Sequence, residues 1–281
     1  MGALLALVAA VAYGVSDFVA GVASRRASAV GVTAVTLFIE LLANLLALAF
    51  FHGSGPVLEP LLWGALSGVG SAVGTLALYH GFAVGRISVV ATLSGVLTVV
   101  IPAITGLLLG NQLSPLALVG IIVAIPAIGL VSWNSGTRED GRKSGALFGV
   151  IAGVSFSLLF IALERAGTGS GAWPLVCGQA VACALIAPVV IRGLRAGSRP
   201  RGSALLLSVI VGLTGAAAGL AYLLATGFGQ LAVVAVLTSM YPAVTVLLAR
   251  VLLHETWSRL QALGLITSAI AVVMVGTSGS P

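Results

Sequence analysis

Charged residues are scarce in this chain. Asp, Glu, Lys and Arg together make up 7% of its 281 residues, whereas they make up about 25% of a typical soluble domain. Hydrophobic residues make up 59% and form successive apolar stretches of about 20 residues, the length at which a helix crosses the hydrocarbon core of a bilayer. The alternating pattern of membrane β-barrel strands is missing from the sequence. These features exclude a soluble protein and predict an all-α integral membrane protein.

Cysteine is scarce too, and the sequence patterns of enzymes are missing. Cys177 and Cys183 are the only cysteines. Because six positions separate them on one predicted helix, they lie on different faces, and we expect two packing residues rather than a disulfide. The sequence contains no phosphate-binding glycine loop, no Cys and His spacing of a metal site, and no nucleophile with a base at helical spacing. We therefore expect no catalysis, no cofactor and no metal ion.

The apolar stretches predict ten transmembrane helices. Their predicted bounds are 3–23, 30–51, 60–80, 88–109, 116–134, 145–163, 172–191, 203–224, 231–250 and 260–276. No basic residue precedes the first apolar stretch, and the stretch is longer than a signal-peptide core, so we expect it to be the first span rather than a cleaved signal. The connections are short, and we expect no soluble domain.

Basic residues are confined to the span ends and loops. Of thirteen Lys and Arg residues, twelve fall in the loops after spans one, three, five, seven and nine, and the other loops hold only Arg165. This distribution lacks the basic stripe of a nucleic-acid-binding surface, so the expected partners are membrane lipid, a small-molecule substrate and protons. The positive-inside rule places the basic loops in the cytoplasm and both termini outside. Nothing in the sequence indicates an oligomeric state.

The two halves of the chain align with each other. Residues 85–132 and 229–276 share 14 identities in 48 positions, among them Gly120 with Gly264, and Tyr13 near the start of the first half aligns with Phe156. Such an alignment indicates duplication and predicts two domains, 1–138 and 139–281, of five spans each. Because five is odd, the second half must enter the membrane in the opposite orientation. We therefore predict two inverted five-helix repeats, an arrangement that recurs in secondary transporters.

The segment YPAVTVLLARVLLHETWSRLQALG, residues 241–264, contains Pro242 in the ninth span, Glu255 thirteen residues later and Gly264 in the tenth span. This pattern resembles the EamA branch of the drug/metabolite transporter (DMT) superfamily, with these three residues as its structural motif. The first half departs from the pattern, since Thr98 and Asn111 stand where the proline and the acid would be. The resemblance implies a ten-span transporter of the bacterial cytoplasmic membrane with a central cavity. It also implies cytoplasmic termini, opposite to the charge count, and both orientations stay open.

Two acids fall inside predicted spans. Asp17 and Glu40 would lie about 10 and 16 Å below the first loop, so they could share one cavity with Asn44, one turn after Glu40, and with Gln179, which duplication places near the position of Glu40. No Lys or Arg lies at that depth, so protonation is the available way to neutralise them. Both are predicted to couple transport to protons; alternatively, Asp17 only fixes helix packing through a hydrogen bond to Ser16, a tyrosine or a backbone group. The other five acids are expected to be solvated: Glu59, Glu139, Asp140, Glu164 and Glu255.

Aromatic and polar residues on the cavity helices complete the predicted site. A tyrosine in an apolar wall offers a ring face and one hydroxyl, which suits a small amphipathic solute or an organic cation. The predicted substrate-binding residues are Tyr13, Asn44, Tyr79, His80, Phe156, Gln179, Tyr222 and Tyr241. The leading hypothesis is a proton-coupled exporter of a small metabolite or cationic solute that works by alternating access. The alternatives are an uncoupled facilitator of the same fold and a non-transporting membrane scaffold or sensor subunit.

Overall fold

The computed structural model describes residues 1–108, 114–132, 145–167, 169–195, 199–228, 237–238 and 240–276. These residues form ten main α-helices and no strand. In chain order the helices are α1 (Gly2–Arg26), α2 (Ala29–Leu48), α3 (Leu58–Val84), α4 (Ile87–Leu108), α5 (Pro115–Ser132), α6 (Ala146–Ala166), α7 (Trp173–Arg195), α8 (Ser203–Phe228), α9 (Tyr241–Leu252) and α10 (Arg259–Gly276).

The predicted helical class is confirmed, and each helix coincides with one predicted span. Seven helices, α1 to α4 and α6 to α8, are long and apolar enough to cross a membrane, while the apolar segments found in α5, α9 and α10 are shorter. The predicted start of the ninth span at 231, the boundary between the halves at 138, and Asn111 lie outside the described residues. An all-helical, multi-pass membrane protein is the architecture that the apolar stretches require, because a helix satisfies its own backbone hydrogen bonds in lipid.

Helix ends gather at two opposite ends of the bundle. At the first, which we call the basic end, Arg25 at the end of α1 donates hydrogen bonds to the carbonyl oxygens of Phe82 and Gly85 at the end of α3, at 3.2 and 3.1 Å. Gly145, just before α6, lies against Gly81 and Gly85 at the same end. The end of α1 and the start of α6 therefore lie together, and the two helices run in opposite directions.

At the opposite end, the loop after α2 contacts the loop before α7. The backbone N–H of Ala172 donates to the carbonyl oxygen of Phe51 at 2.8 Å, and that of Ser54 donates to Gly169 at 2.9 Å. Between the two ends, α3 packs closely on α7, with Gly68 directly against the backbone of Gly178. Small residues at such a contact let two helix backbones approach in lipid, where packing rather than water drives association.

Glu255 follows α9 and is not solvated as expected. Its side chain is 8% exposed, and one oxygen forms an ion pair with Arg25 at 3.2 Å. The carboxylate also accepts hydrogen bonds from the backbone N–H groups of Ile87 and Ser88, at 3.0 and 3.2 Å. These N–H groups belong to the first turn of α4, where the backbone N–H groups have no acceptor within the helix. The expectation was wrong because the turn between α9 and α10 lies against the N-terminus of α4, where a carboxylate is stabilised by the helix dipole.

The other residues of the C-terminal motif pack at helix contacts. Pro242 lies in the first turn of α9, directly against Gly95 of α4. Gly264 is buried within α10, and Gly120, which aligns with it in the first half, faces Met274 and Val275 of α10. Glu59 and Glu164 are exposed, as expected, and the remaining two loop acids, Glu139 and Asp140, lie outside the described residues.

Candidate functional site

The Asp17 carboxyl lies in the interior of the bundle, among polar groups from several helices. Tyr13 of α1, Glu40 of α2, Tyr79 of α3 and Tyr241 of α9 all lie within electrostatic range of it. With Gln179 of α7, which contacts Glu40, these residues form what we call the central cluster. Two carboxyl groups and three tyrosines, which are far apart in the sequence, therefore meet inside the membrane-spanning part of the protein.

Glu40 is held by two neighbouring helices. The Gln179 amide nitrogen donates to the Glu40 carboxylate at 2.9 Å and to the Leu37 carbonyl oxygen at 3.2 Å, so one side chain fixes both the acid and the backbone of α2. The second Glu40 oxygen lies over Gly215 of α8, where an added Cβ would stand 2.6 Å from it. Glycine at this position therefore makes room for the carboxyl group.

The tyrosines of the central cluster contact each other and nearby hydroxyls. The rings of Tyr13 and Tyr241 have centroids 6.0 Å apart and are tilted by 58°. The hydroxyl of Tyr241 interacts with Thr98 of α4, and that of Tyr79 interacts with Thr36 of α2. The ring faces and hydroxyls thus surround the carboxyl groups with both apolar and polar surface.

The Asp17 carboxyl differs from the rest of the cluster. No described residue donates a hydrogen bond to it, and no described Lys or Arg forms an ion pair with it. Asp17 nevertheless keeps partial accessibility although helices pack around it. Ser16, a candidate partner in the packing hypothesis, donates instead to the Val211 carbonyl oxygen at 3.0 Å. The contacts that a purely structural aspartate would need are therefore missing among the described residues.

Four of the predicted site residues lie outside the central cluster. Tyr222 of α8 is half-buried and within electrostatic range of Tyr13. Asn44 is half-buried one turn beyond Glu40. His80 is not in the interior: it is exposed, its ring centroid is 4.6 Å from that of Phe148, and it lines an apolar groove on the outer surface. Phe156 packs between α6 and α3, with its ring against Gly74.

Sequence reasoning missed three residues at this site. Thr36 and Thr98 are buried and lie beside tyrosine hydroxyls, and Gly215 gives space to Glu40. A signal existed for Thr36, because it lies four residues before Glu40 and therefore on the same helix face. Thr98 was also marked, since it aligns with Pro242 in the repeat. The described residues contain no cluster of His, Cys and acidic side chains that could hold a metal ion.

Comparison with known proteins assigns the family. The model of the EamA-like transporter family matches the chain twice, over residues 1–133 and 143–277. One solved crystal structure superposes on the chain with a TM-score of 0.60, covering 97% of this chain and 95% of that one at 16% identity, which establishes a shared fold and nothing more. Comparison with curated proteins finds no significant match. The two family matches span nearly the whole sequence, and the chain therefore belongs to the EamA-like transporter family of the drug/metabolite transporter superfamily.

Proposed function

We propose that this transporter is a proton-coupled exporter of a small metabolite or cationic solute, with Asp17 as the coupling group. The observation that carries the proposal is the Asp17 carboxyl, which lies in the interior of the bundle with neither a cation nor a hydrogen-bond donor among the described residues. An acid in this situation needs a neutralising partner. A proton supplies it when the site is empty, and a bound cation supplies it when the site is loaded.

The composition of the central cluster supports a cationic substrate. Tyr13, Tyr79 and Tyr241 offer ring faces, whose negative electrostatic potential attracts organic cations, and Asp17 and Glu40 offer carboxyl groups. An anionic substrate would meet no described basic side chain there. A flat or amphipathic cation would bind against the face of one of these rings with its charge toward Asp17.

The packing of the two halves supports alternating access by inverted repeats. In two five-helix repeats, α1 corresponds to α6 and α3 corresponds to α8. Helix α3 packs against α6, and α1 packs against α8, so the same contact occurs twice, as expected for repeats related by symmetry. Single contacts repeat as well: Phe156 of α6 lies against Gly74 of α3, and the Tyr13 hydroxyl of α1 lies 3.5 Å from an added Cβ at Gly219 of α8. A site between two such halves can be exposed to either side as they rock.

The experiment that tests the function is a flux measurement in proteoliposomes. The purified protein would be screened with organic cations, neutral metabolites and anions, each with and without an imposed pH gradient. We expect a cation to accumulate on the acidic side of the membrane against its own concentration gradient, in exchange for protons that leave that side. Flux that is saturable but unaffected by the pH gradient would favour the uncoupled facilitator. The hydrogen-bonded pair of Glu40 and Gln179 would then have a structural role only. No flux of any solute would favour the scaffold.

A further inference from the structure

A second site lies on the outer surface, away from the central cluster. An apolar groove of about 410 Å³ runs between α2, α7 and α8. Its walls are formed by apolar side chains, including Val30, Ala34 and Phe38 of α2, Val190 of α7, and Leu205 and Val209 of α8. The stretch from Val30 to Phe38 gives the groove a length of about 12 Å at the helical rise per residue. The groove begins at the basic end, where α2 and α8 start.

Four exposed arginines lie next to the basic end of this groove. Arg192 precedes the lining residue Gly193, and Arg199 and Arg201 flank the lining residue Pro200. Arg26 reaches the start of α8, where its guanidinium lies 3.5 Å from the Ser203 hydroxyl.

No described acid balances these four arginines. Glu255 is paired with Arg25, Asp17 and Glu40 are interior, and Glu59 and Glu164 belong to the opposite end. The basic end of the groove is therefore strongly positive, while its interior is apolar.

We propose that this groove binds one anionic phospholipid, with an acyl chain in the groove and the phosphate among the four arginines. The helix surface around the groove is apolar, with Phe38 and Leu206 at 54% and 62% exposure, so in a membrane it faces hydrocarbon. An acyl chain is the partner of matching chemistry there, and basic residues at the membrane surface attract anionic headgroups. The bound lipid would bridge α2, α7 and α8, the helices that carry Glu40, Gln179 and Gly215. This inference does not depend on proton coupling or on the transported solute.

The test is native mass spectrometry of the full chain, titrated in detergent with phosphatidylglycerol or with phosphatidylcholine of the same acyl chains. We expect one phosphatidylglycerol to bind at least tenfold more tightly than phosphatidylcholine. Each arginine at the membrane surface strengthens the binding of an anionic lipid about fivefold. The double variant Arg192→Ala/Arg201→Ala is therefore expected to bind phosphatidylglycerol about 25-fold more weakly. Its matched control is Arg165→Ala/Arg259→Ala, which removes the same charge outside the groove and is expected to bind like the parent.

A second pair of variants tests the acyl chain. Ala34→Leu fills the groove and is expected to prevent retention of the lipid, while Ala184→Leu adds the same volume at an exposed position on α7 outside the groove and is expected to have no effect. Equal affinity for the two lipids, or equal effects of a variant and its control, would overturn the proposal. Displacement of the lipid by millimolar inorganic phosphate would also overturn it, because the site would then recognise an anion without the acyl chain.

Discussion

Asp17 is the residue from which the proposed function can be tested most directly. No described residue gives its carboxyl a hydrogen-bond donor or a cation. Glu40, in contrast, is fixed by Gln179 at 2.9 Å. The two acids therefore differ in their environments, and only one of them is free to exchange its partner.

Replacing Asp17 with asparagine keeps the size of the side chain and removes its titration. We expect Asp17→Asn to abolish accumulation driven by a pH gradient, while the protein folds normally and retains some substrate exchange between the two sides. The measurement is flux in proteoliposomes with and without the gradient. Glu164→Gln, a change at an exposed acid, is the control and should transport like the parent. Unchanged gradient-driven flux in Asp17→Asn would contradict the coupling role.

Gly215 tests whether the position of Glu40 matters. An added Cβ would stand 2.6 Å from a Glu40 carboxylate oxygen, and because that oxygen ends a flexible side chain, we expect Glu40 to move rather than α8 to unfold. Gly215→Ala should therefore change transport severalfold, through a weaker bond to Gln179, while the free energy of unfolding changes by less than about 1 kcal/mol. Gly129→Ala is the matched control, because an added Cβ there meets nothing within 4 Å. Equal transport by both variants would show that the position of Glu40 is unimportant.

At the scale of helices, the turn after α9 connects distant parts of the bundle. Glu255 binds the first turn of α4 and pairs with Arg25 at the end of α1, and Arg86 donates to the Thr256 carbonyl oxygen at 3.2 Å and to Gln261 at 3.1 Å. Arg25 in turn holds the end of α3. One carboxylate thus helps to fix α1, α3, α4 and α9 at the basic end.

We expect Glu255→Ala to destabilise the protein by about 3 kcal/mol. The change removes the acceptor of two backbone N–H groups of α4 and one of the acceptors of the Arg25 guanidinium, in a region where the side chain of Glu255 is only 8% exposed. Removing one partner of a buried ion pair and leaving buried N–H groups unsatisfied carries such a cost. Thermal unfolding in detergent measures it. Glu59→Ala removes an exposed acid from the first turn of α3 and should lower stability by less than about 1 kcal/mol. Similar losses for both variants would contradict the capping role.

The helices themselves could be predicted because membrane spans depend on local composition. Each apolar stretch had to form a helix to satisfy its backbone in lipid, and the order of all ten followed. The contacts of Glu255 could not be predicted, because the alignment of its turn with the start of α4 depends on how distant helices pack. His80 shows a second limit: it adjoins Tyr79 on α3, and neighbouring helix positions point in directions about 100° apart, so only one of them faces the interior.

At the scale of the whole molecule, duplication predicted more of the site than composition did. The repeat placed Gln179 near the position of Glu40 in the other half, and the two side chains are joined by a hydrogen bond. That they contact each other depends on α2 and α7 lying side by side, a feature that the sequence does not contain. The six residues of the central cluster were among those predicted, whereas their contacts and the adjoining Thr36, Thr98 and Gly215 were not.

The exposed arginines of the two ends predict the orientation of the molecule in the membrane. Arg25 and Arg86 are engaged in structural contacts at the basic end, but Arg26, Arg192 and Arg201 at that end are exposed, and the opposite end has Arg165. The excess of exposed positive charge thus persists after structural arginines are set aside, and the positive-inside rule predicts a cytoplasmic basic end.

Cysteine labelling in intact cells tests this orientation. In a background lacking Cys177 and Cys183, Ser54→Cys and Ser203→Cys make the same chemical change at exposed positions of the opposite end and of the basic end. We expect a membrane-impermeant maleimide to label Ser54→Cys from outside and to label Ser203→Cys only after the membrane is permeabilised. The reverse pattern would place both termini in the cytoplasm.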